Sequence, residues 1–283
     1  MTKLLVCVDG SIYADNITTH AAWAAKRLNA DIDLLHVLRR HSDYDAPSSD
    51  HTGAIGIGAR SELMEELVKV DQERGKLDQQ KGRLILEHAQ EALKKAGVQQ
   101  INALHRRGSL ADTITEFEND ADIIFIGKRG ETANPQSEFL GSNLEKVARS
   151  VHKPLFLVSR YMRPIHKFVI AYDGKDNANK AVEFACNSDL LKGLECHIIT
   201  VGSDHQTQAD EAVQELEQSG FTVIPHNETS GHIEDVIRSY VESKEIDLLL
   251  MGAYSHSRVR TMLLGSTTAK LIKSCHVPVM LFR

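Results

Sequence analysis

The residues of this chain best suited to chemistry lie in two stretches of its second half. The apolar run KFVIAYDG ends in Asp173-Gly174, and the run IDLLLMG ends in Gly252. Thirteen positions after Gly252, Gly265-Ser266-Thr267-Thr268 opens an apolar helical pattern. Glycine lets a ligand approach the backbone with no Cβ in the way. The free N–H groups at a helix start, together with the helix dipole, favour an anion. The hydroxyls of Ser266, Thr267 and Thr268 add donors for phosphate oxygens, and Asp173 can accept from a ribose hydroxyl or an adenine amino group. Paired with a turn at the end of another strand, this chemistry suits a phosphorylated nucleoside.

The elements that must position these residues occur twice. KLLVCVDGS (3–11) matches KFVIAYDGK (167–175), and DIDLLHVL (31–38) matches ECHIITVG (195–202). GSLADTI (108–114) matches GHIEDVI (231–237), and ADIIFIGKRG (121–130) matches IDLLLMGAYS (246–255). GSNLEKVARSVHKP (141–154) aligns without a gap on GSTTAKLIKSCHVP (265–278). Landmarks in one order at this density indicate two copies of one domain. Each copy alternates short apolar runs with helical patterns, which predicts a parallel sheet covered by helices on both faces. For the second copy we expect strands near 167–172, 195–201, 221–226, 247–251 and 278–282. The intervening helices fall near 176–188, 207–219, 232–243 and 265–275. The fold class expected is α/β, two tandem doubly wound, Rossmann-like domains of five parallel strands, at 1–160 and 165–283, joined through their last strands. In such a sheet the turns after the first and fourth strands meet in one crevice.

Composition narrows the function classes. A net charge of −6 weighs against a surface dominated by nucleic-acid backbone contacts, and the short basic stretch LHRRG (104–108) has few aromatics near it. No run approaches the roughly 20 apolar residues of a membrane span. The N-terminus reads as a first strand rather than a secretory signal. Cys7, Cys186, Cys196 and Cys275 show no paired spacing, so free thiols in a reducing, cytoplasmic setting are expected. The fourteen histidines form neither HExxH nor an i, i+4 pair, and His36, mid-strand in LLHVL, reads as a satisfied core residue. No metal site is expected. Neither GxSxG nor GxxxxGK[ST] is present, so no dedicated catalytic apparatus is visible.

The copies differ after their second strands, where the first carries an insertion at about 39–97. A polar loop there leads into a helical stretch, Ser61 to Ala96, along which Leu63, Leu67, Val70, Leu77 and Leu84 recur at heptad-like spacing. We expect this stripe to pack on its own domain, with a partner or self-association surface as the alternative. Gly75 and Gly82 interrupt the helix at a cost of about 1 kcal/mol each.

At these residues the chain resembles the universal stress protein family in its tandem form. The family motif is G-x2-G-x9-G-[ST] after an Asp that ends the first strand, and the resemblance covers essentially the whole chain, both halves. The resemblance implies binding of ATP, possibly with Mg2+, and a regulatory role in stress responses. It implies ATP contacts from Asp173, Val201, Met251, Gly252, Ser255, Gly265, Ser266, Thr267 and Thr268, with Ser255 standing where the motif has glycine. In the first copy Asp9, Val37, Ile126, Gly127, Gly130, Gly141, Ser142 and Asn143 correspond. There the segment between Gly130 and Gly141 is one residue longer and holds Pro135 and Glu138, so the second copy is the expected site. Lys128, Arg129, Arg258 and Arg260 fall in these loops, either offsetting phosphate charge or lying solvated. The alternatives are a scaffold that binds no nucleotide and interacts through the inserted helix, or a slow ATPase or small-molecule enzyme using the same crevice.

Overall fold

The computed structural model describes residues 1–38, 57–130, 142–203, 205–253 and 265–283, with backbone only at 57–65, 67 and 142. The first half runs β1 (Lys3–Cys7), α1 (Ala14–Leu28), β2 (Asp31–Leu38), α2 (Ile57–Lys95), β3 (Ile101–Arg107), α3 (Leu110–Phe117), β4 (Ile123–Gly127), α4 (Ser142–Ser150) and β5 (Leu155–Val158). The second runs β6 (Lys167–Ala171), α5 (Asp176–Asn187), β7 (Glu195–Val201), α6 (Gln206–Gln218), β8 (Val223–Glu228), α7 (Ile233–Ser243), β9 (Leu248–Gly252), α8 (Ser266–Ser274) and β10 (Val279–Phe282). The expected second-half elements are all present, with β8 beginning two residues later than its apolar residues imply.

One ten-stranded sheet results, in the order β3-β2-β1-β4-β5-β10-β9-β6-β7-β8. Within each half every pairing is parallel, and the single antiparallel seam joins β5 to β10. The halves therefore meet through their last strands, as the repeat predicts. Across the seam Phe156 lies opposite Met280, and these are matching positions of the two copies. A pseudo-twofold axis thus passes between them. Alternation along the strands fills two cores: Leu4 and Val6 join the layer under α1, α2, α5 and α6, while Leu5 and Cys7 join the layer under α3, α4, α7 and α8. Burial on both faces explains why the strands read as continuous apolar runs. Side chains reinforce the seam, with Arg27 of α1 donating from Nε to Leu190 O at 2.6 Å.

The inserted helix departs from expectation. α2 is 39 residues long, about 58 Å at 1.5 Å per residue. Its heptad stripe does not form the inner face: Val70 is 44% exposed, Leu77 63% and Leu84 65%. Leu63 and Leu67 lie where only the backbone is described. The buried face is instead set by Gly82, Leu86, Ala89 and Leu93. A Cβ on Gly82 would stand 2.5 Å from His105 Nε2 and 2.8 Å from His36 Cδ2. The glycine is what lets α2 lie against the paired rings of β2 and β3. Leu84 and Leu86 are two residues apart, about 200° around the helix, so the leucine stripe lies away from the face that packs. His36 itself is a satisfied core residue, its Nδ1 hydrogen-bonded to Val8 O at 2.8 Å.

Candidate functional site

Parallel pairing brings the turn after β6 beside the end of β9, with Ala171 in register with Met251. Asp173 and Gly252 therefore leave neighbouring strands at the point where strand order reverses. Gly252 is required by packing. A Cβ there would meet Asn177 Cβ at 2.9 Å and the backbone of Asn177 and Ala178 at 3.1 Å. The first turn of α5 thus sits directly on the end of β9, and Asn177 Nδ2 donates to Ala253 O at 2.5 Å. The Asp173 carboxylate accepts from Lys175 N at 3.3 Å and lies 3.6 Å from Lys175 Nζ. Gly174 takes φ 70°, and the His205 ring covers it so closely that a Cβ would stand 2.8 Å from Nδ1.

Gly265 stands at the N-cap of α8 with φ −47° and ψ 139°, and as a glycine it offers no side chain to cap the helix. Any residue can adopt that backbone. Among the described residues, the nearest atom to a Cβ placed there is Thr268 Oγ1, at 3.8 Å. The glycine at this helix start is therefore not demanded by the surrounding described chain, unlike Gly252. Ser266 is exposed, Thr267 half-buried and Thr268 buried; Met251 is buried and Val201, at the end of β7, half-buried. Ser255, Arg258 and Arg260 lie outside the described residues.

The first half repeats the arrangement with different packing. Asp9 Oδ1 accepts from Ser11 N at 3.0 Å, and Tyr13 N donates to Ser11 Oγ at 3.3 Å, so Ser11 serves the turn. A Cβ on Gly127 would meet Tyr13 Cβ and Arg129 O at 3.1 Å, and one on Gly130 would meet Asp9 Oδ2 at 3.2 Å. The segment 127–130 thus folds onto Asp9 and the start of α1. Ile126 is buried, Val37 and Asn143 are half-buried, and Ser142 begins α4. Gly141 lies outside the described residues. Where His205 covers the second Asp-Gly turn, the first keeps a cavity of about 340 Å³ between Asp9, Gly10, Ser11 and Asp15 and the α2 residues Lys81 and His88.

Lys128 overturns both readings made for it, phosphate partner and solvated charge. It is 7% exposed, and its Nζ donates to Cys275 O and Val277 O in the second half, each at 2.7 Å. Burial pulls its ammonium from the ordinary 10.5 down to about 7, with a partial offset from the Cys275 thiol. The sequence holds one clue to this: Lys128 matches Ala253, which is buried at 2%. Nothing in the sequence marks His205 as a lid on Gly174.

Comparison with known proteins bears on this geometry. The family model described as the universal stress protein family matches residues 1–159 and 202–283. A universal stress protein from Synechocystis sp. is 37% identical over 288 residues, covering all of both chains. One from Mycolicibacterium smegmatis is 22% identical over 308 residues, covering 99% of this chain and 96% of its own. The crystal structure of a universal stress protein from Archaeoglobus fulgidus shares the fold at TM-score 0.70 and 21% identity, covering 99% of this chain and 98% of that one.

Proposed function

The chain belongs to the universal stress protein family, and from that premise we propose that it binds ATP, with Mg2+, in the second-half crevice as a stress-response regulator. The observation that carries this reading is Gly265. The residue at the helix start offers no capping side chain, it meets no described neighbour closer than 3.8 Å, and it follows the strand that lies beside Asp173. A phosphate seated on the first amides of α8 would account for a glycine that the described neighbours do not demand. In this reading the chain has two domains of the family's kind, 1–160 and 165–283, and the second holds the nucleotide. Asp173 holds the ribose or adenine, Val201 and Met251 flank the base, and Gly252, Ser255, Gly265, Ser266, Thr267 and Thr268 hold the phosphates. Bound Mg2+ would supply charge neutralisation for those phosphates. In this reading the crevice binds nucleotide without a dedicated catalytic apparatus.

The test is calorimetry with ATP·Mg on protein freed of carried-over nucleotide. A saturable heat that Asp173→Ala weakens supports the reading. No heat at high micromolar nucleotide sinks it, and phosphate release above background would favour a slow ATPase. A second reading places the nucleotide in the first half, with Asp9, Val37, Ile126, Gly127, Gly130, Gly141, Ser142 and Asn143. The open cavity of about 340 Å³ beside Asp9-Gly10-Ser11 favours it, because ligand pockets begin at about 300 Å³. Loss of heat in Gly130→Val, with Gly265→Val unaffected, would select that reading.

A further inference from the structure

The antiparallel seam has a geometric consequence for the two crevices. β4 and β5 run parallel and β10 runs against them, so the carboxyl end of β4 lies level with the start of β10. The start of β10 is where α8 ends. The loop that closes the first crevice therefore emerges beside the C-terminal end of the helix whose N-terminus opens the second.

Lys128 occupies that junction. On one side of it, Gly127 packs on Tyr13 and Gly130 on Asp9. On the other, its ammonium donates to the carbonyls of Cys275, the C-cap residue of α8, and of Val277, before β10. A cation at a helix C-terminus satisfies carbonyls that have no intrahelical partner and complements the dipole. α8 has nine residues, about 13 Å, so its far end at Gly265 moves with the end that Lys128 holds. The matched position in the second half is Ala253, a buried residue whose side chain has no donor. The other cation crossing to a last helix is Arg283, which donates to Arg149 O of α4. It comes from the chain end, not from a crevice loop.

We propose that Lys128 couples the two crevices: it is a positioning residue that ties the first glycine loop to α8, so a change in the first crevice is felt at the phosphate end of the second. The inference deepens the nucleotide reading and, for its ligand-linked consequence, rests on it. The tie itself can be tested without nucleotide.

The experiment is amide hydrogen exchange of the segment 266–275 in four full-length proteins: wild type, Gly127→Ala, Lys128→Met and the double variant. Gly127→Ala disturbs the loop gently, because its Cβ would sit 3.1 Å from Arg129 O and Tyr13 Cβ. With Lys128 present this change is expected to speed exchange in 266–275 several-fold. In the Lys128→Met background it is expected to add nothing. Equal acceleration in both backgrounds, or in neither, overturns the coupling. Methionine keeps the side-chain volume while leaving two carbonyls unpaired. Should that protein not fold, Lys128→Ala, the residue that the matched position 253 carries, replaces it in the same cycle.

Titration with ATP·Mg follows in the same four proteins. The second-crevice affinity is expected to change at least about fivefold on Gly127→Ala and to stay constant when Lys128 is already replaced, the size usual for site–site coupling. The two failures are distinguishable. An intact exchange cycle with no ATP heat removes the nucleotide reading alone. ATP heat with additive effects in both measurements removes the coupling alone.

Discussion

Replacing Gly252 and Gly265 by alanine in separate proteins distinguishes a glycine kept for the chain's own packing from one kept for a ligand. At Gly252 the new methyl would stand 2.9 Å from Asn177 Cβ and 3.1 Å from two backbone atoms of α5. Carbon contacts are optimal at about 3.5–4.0 Å. Two of the three neighbours are main chain, so α5 itself must shift, and such overpacking costs about 1–3 kcal/mol. At Gly265 two small terms oppose each other. Alanine is a poorer N-cap than glycine, by about 0.5–1 kcal/mol. It also lowers the entropy of the unfolded chain, worth about 0.4–1 kcal/mol where the backbone is compatible, as φ −47° is. The net change is close to zero. Thermal unfolding should therefore fall by about 2–4 °C per kcal/mol for Gly252→Ala and stay near wild type for Gly265→Ala. Calorimetry should show the reverse emphasis, with ATP binding weakened at least about tenfold by Gly265→Ala despite an intact fold, equivalent to about 1.4 kcal/mol. A Gly265→Ala protein that binds ATP as wild type does would refute the claim that its space is reserved for phosphate. A Gly252→Ala protein as stable as wild type would refute the packing argument.

Lys128 sets a pH dependence of stability. Its folded value of about 7 lies below its ordinary 10.5, so between these pH values the unfolded chain holds a proton that the folded chain lacks, and stability rises with pH. From pH 7 to pH 9 this amounts to at most about 2 kcal/mol, since the two accepting carbonyls favour the charged form. The charges packed around the pair, Arg238 and Glu242 of α7 acting on Cys275, oppose each other. Urea unfolding of Lys128→Met should lack that rise, and equal slopes in both proteins would reject it. Gly82→Ala, whose methyl would press on His105 and on the anchored His36, should cost about 1–3 kcal/mol and speed proteolysis within α2; unchanged unfolding and cleavage would show that α2 does not need that close contact. Leu77→Ser and Leu84→Ser, at sites 63% and 65% exposed, should alter stability by less than about 0.5 kcal/mol; a loss of several kcal/mol would mean that these side chains are covered in solution.

The fold was readable because the inner strands are buried on both faces and so appear as apolar runs, twice, in the same order, whereas the edge strands β3 and β8 are partly exposed. The seam through β5 and β10 joins the matched last strands of the two copies, while β3 and β8 remain the outer edges. What escaped the sequence depends on contacts between distant residues. Gly82 looks like a flaw in a helix until His36 and His105 lie beneath it. Lys128 looks like a loop cation, because its acceptors are backbone carbonyls 147 and 149 positions away. A carbonyl leaves no mark in residue type. The crevice residues were legible as types, yet only the structure separates Gly252, which α5 forces to be glycine, from Gly265, which no described neighbour does.

The two halves agree where they meet and differ where they open. Phe156 faces Met280, its own counterpart, across the seam, as a twofold arrangement requires. Away from the axis, matched positions hold Lys128 and Ala253, Tyr13 and Asn177, Ser11 and Lys175. Two identical chains joined by such a seam would carry the Lys128 tie twice or not at all. A single chain holding both halves can carry it once, from the first crevice to α8. Coupling free energy is reciprocal whatever the construction, so nucleotide in either crevice would act on the other. Among the described residues, though, the Lys128 tie has no counterpart at the matched position, Ala253. Grafting a lysine by Ala253→Lys is therefore expected to fail as a second tie. Ala253 is buried beside Asn177 and Phe282, with no space prepared for the longer side chain, and the variant should unfold at lower temperature than wild type without adding protection to α4 in hydrogen exchange.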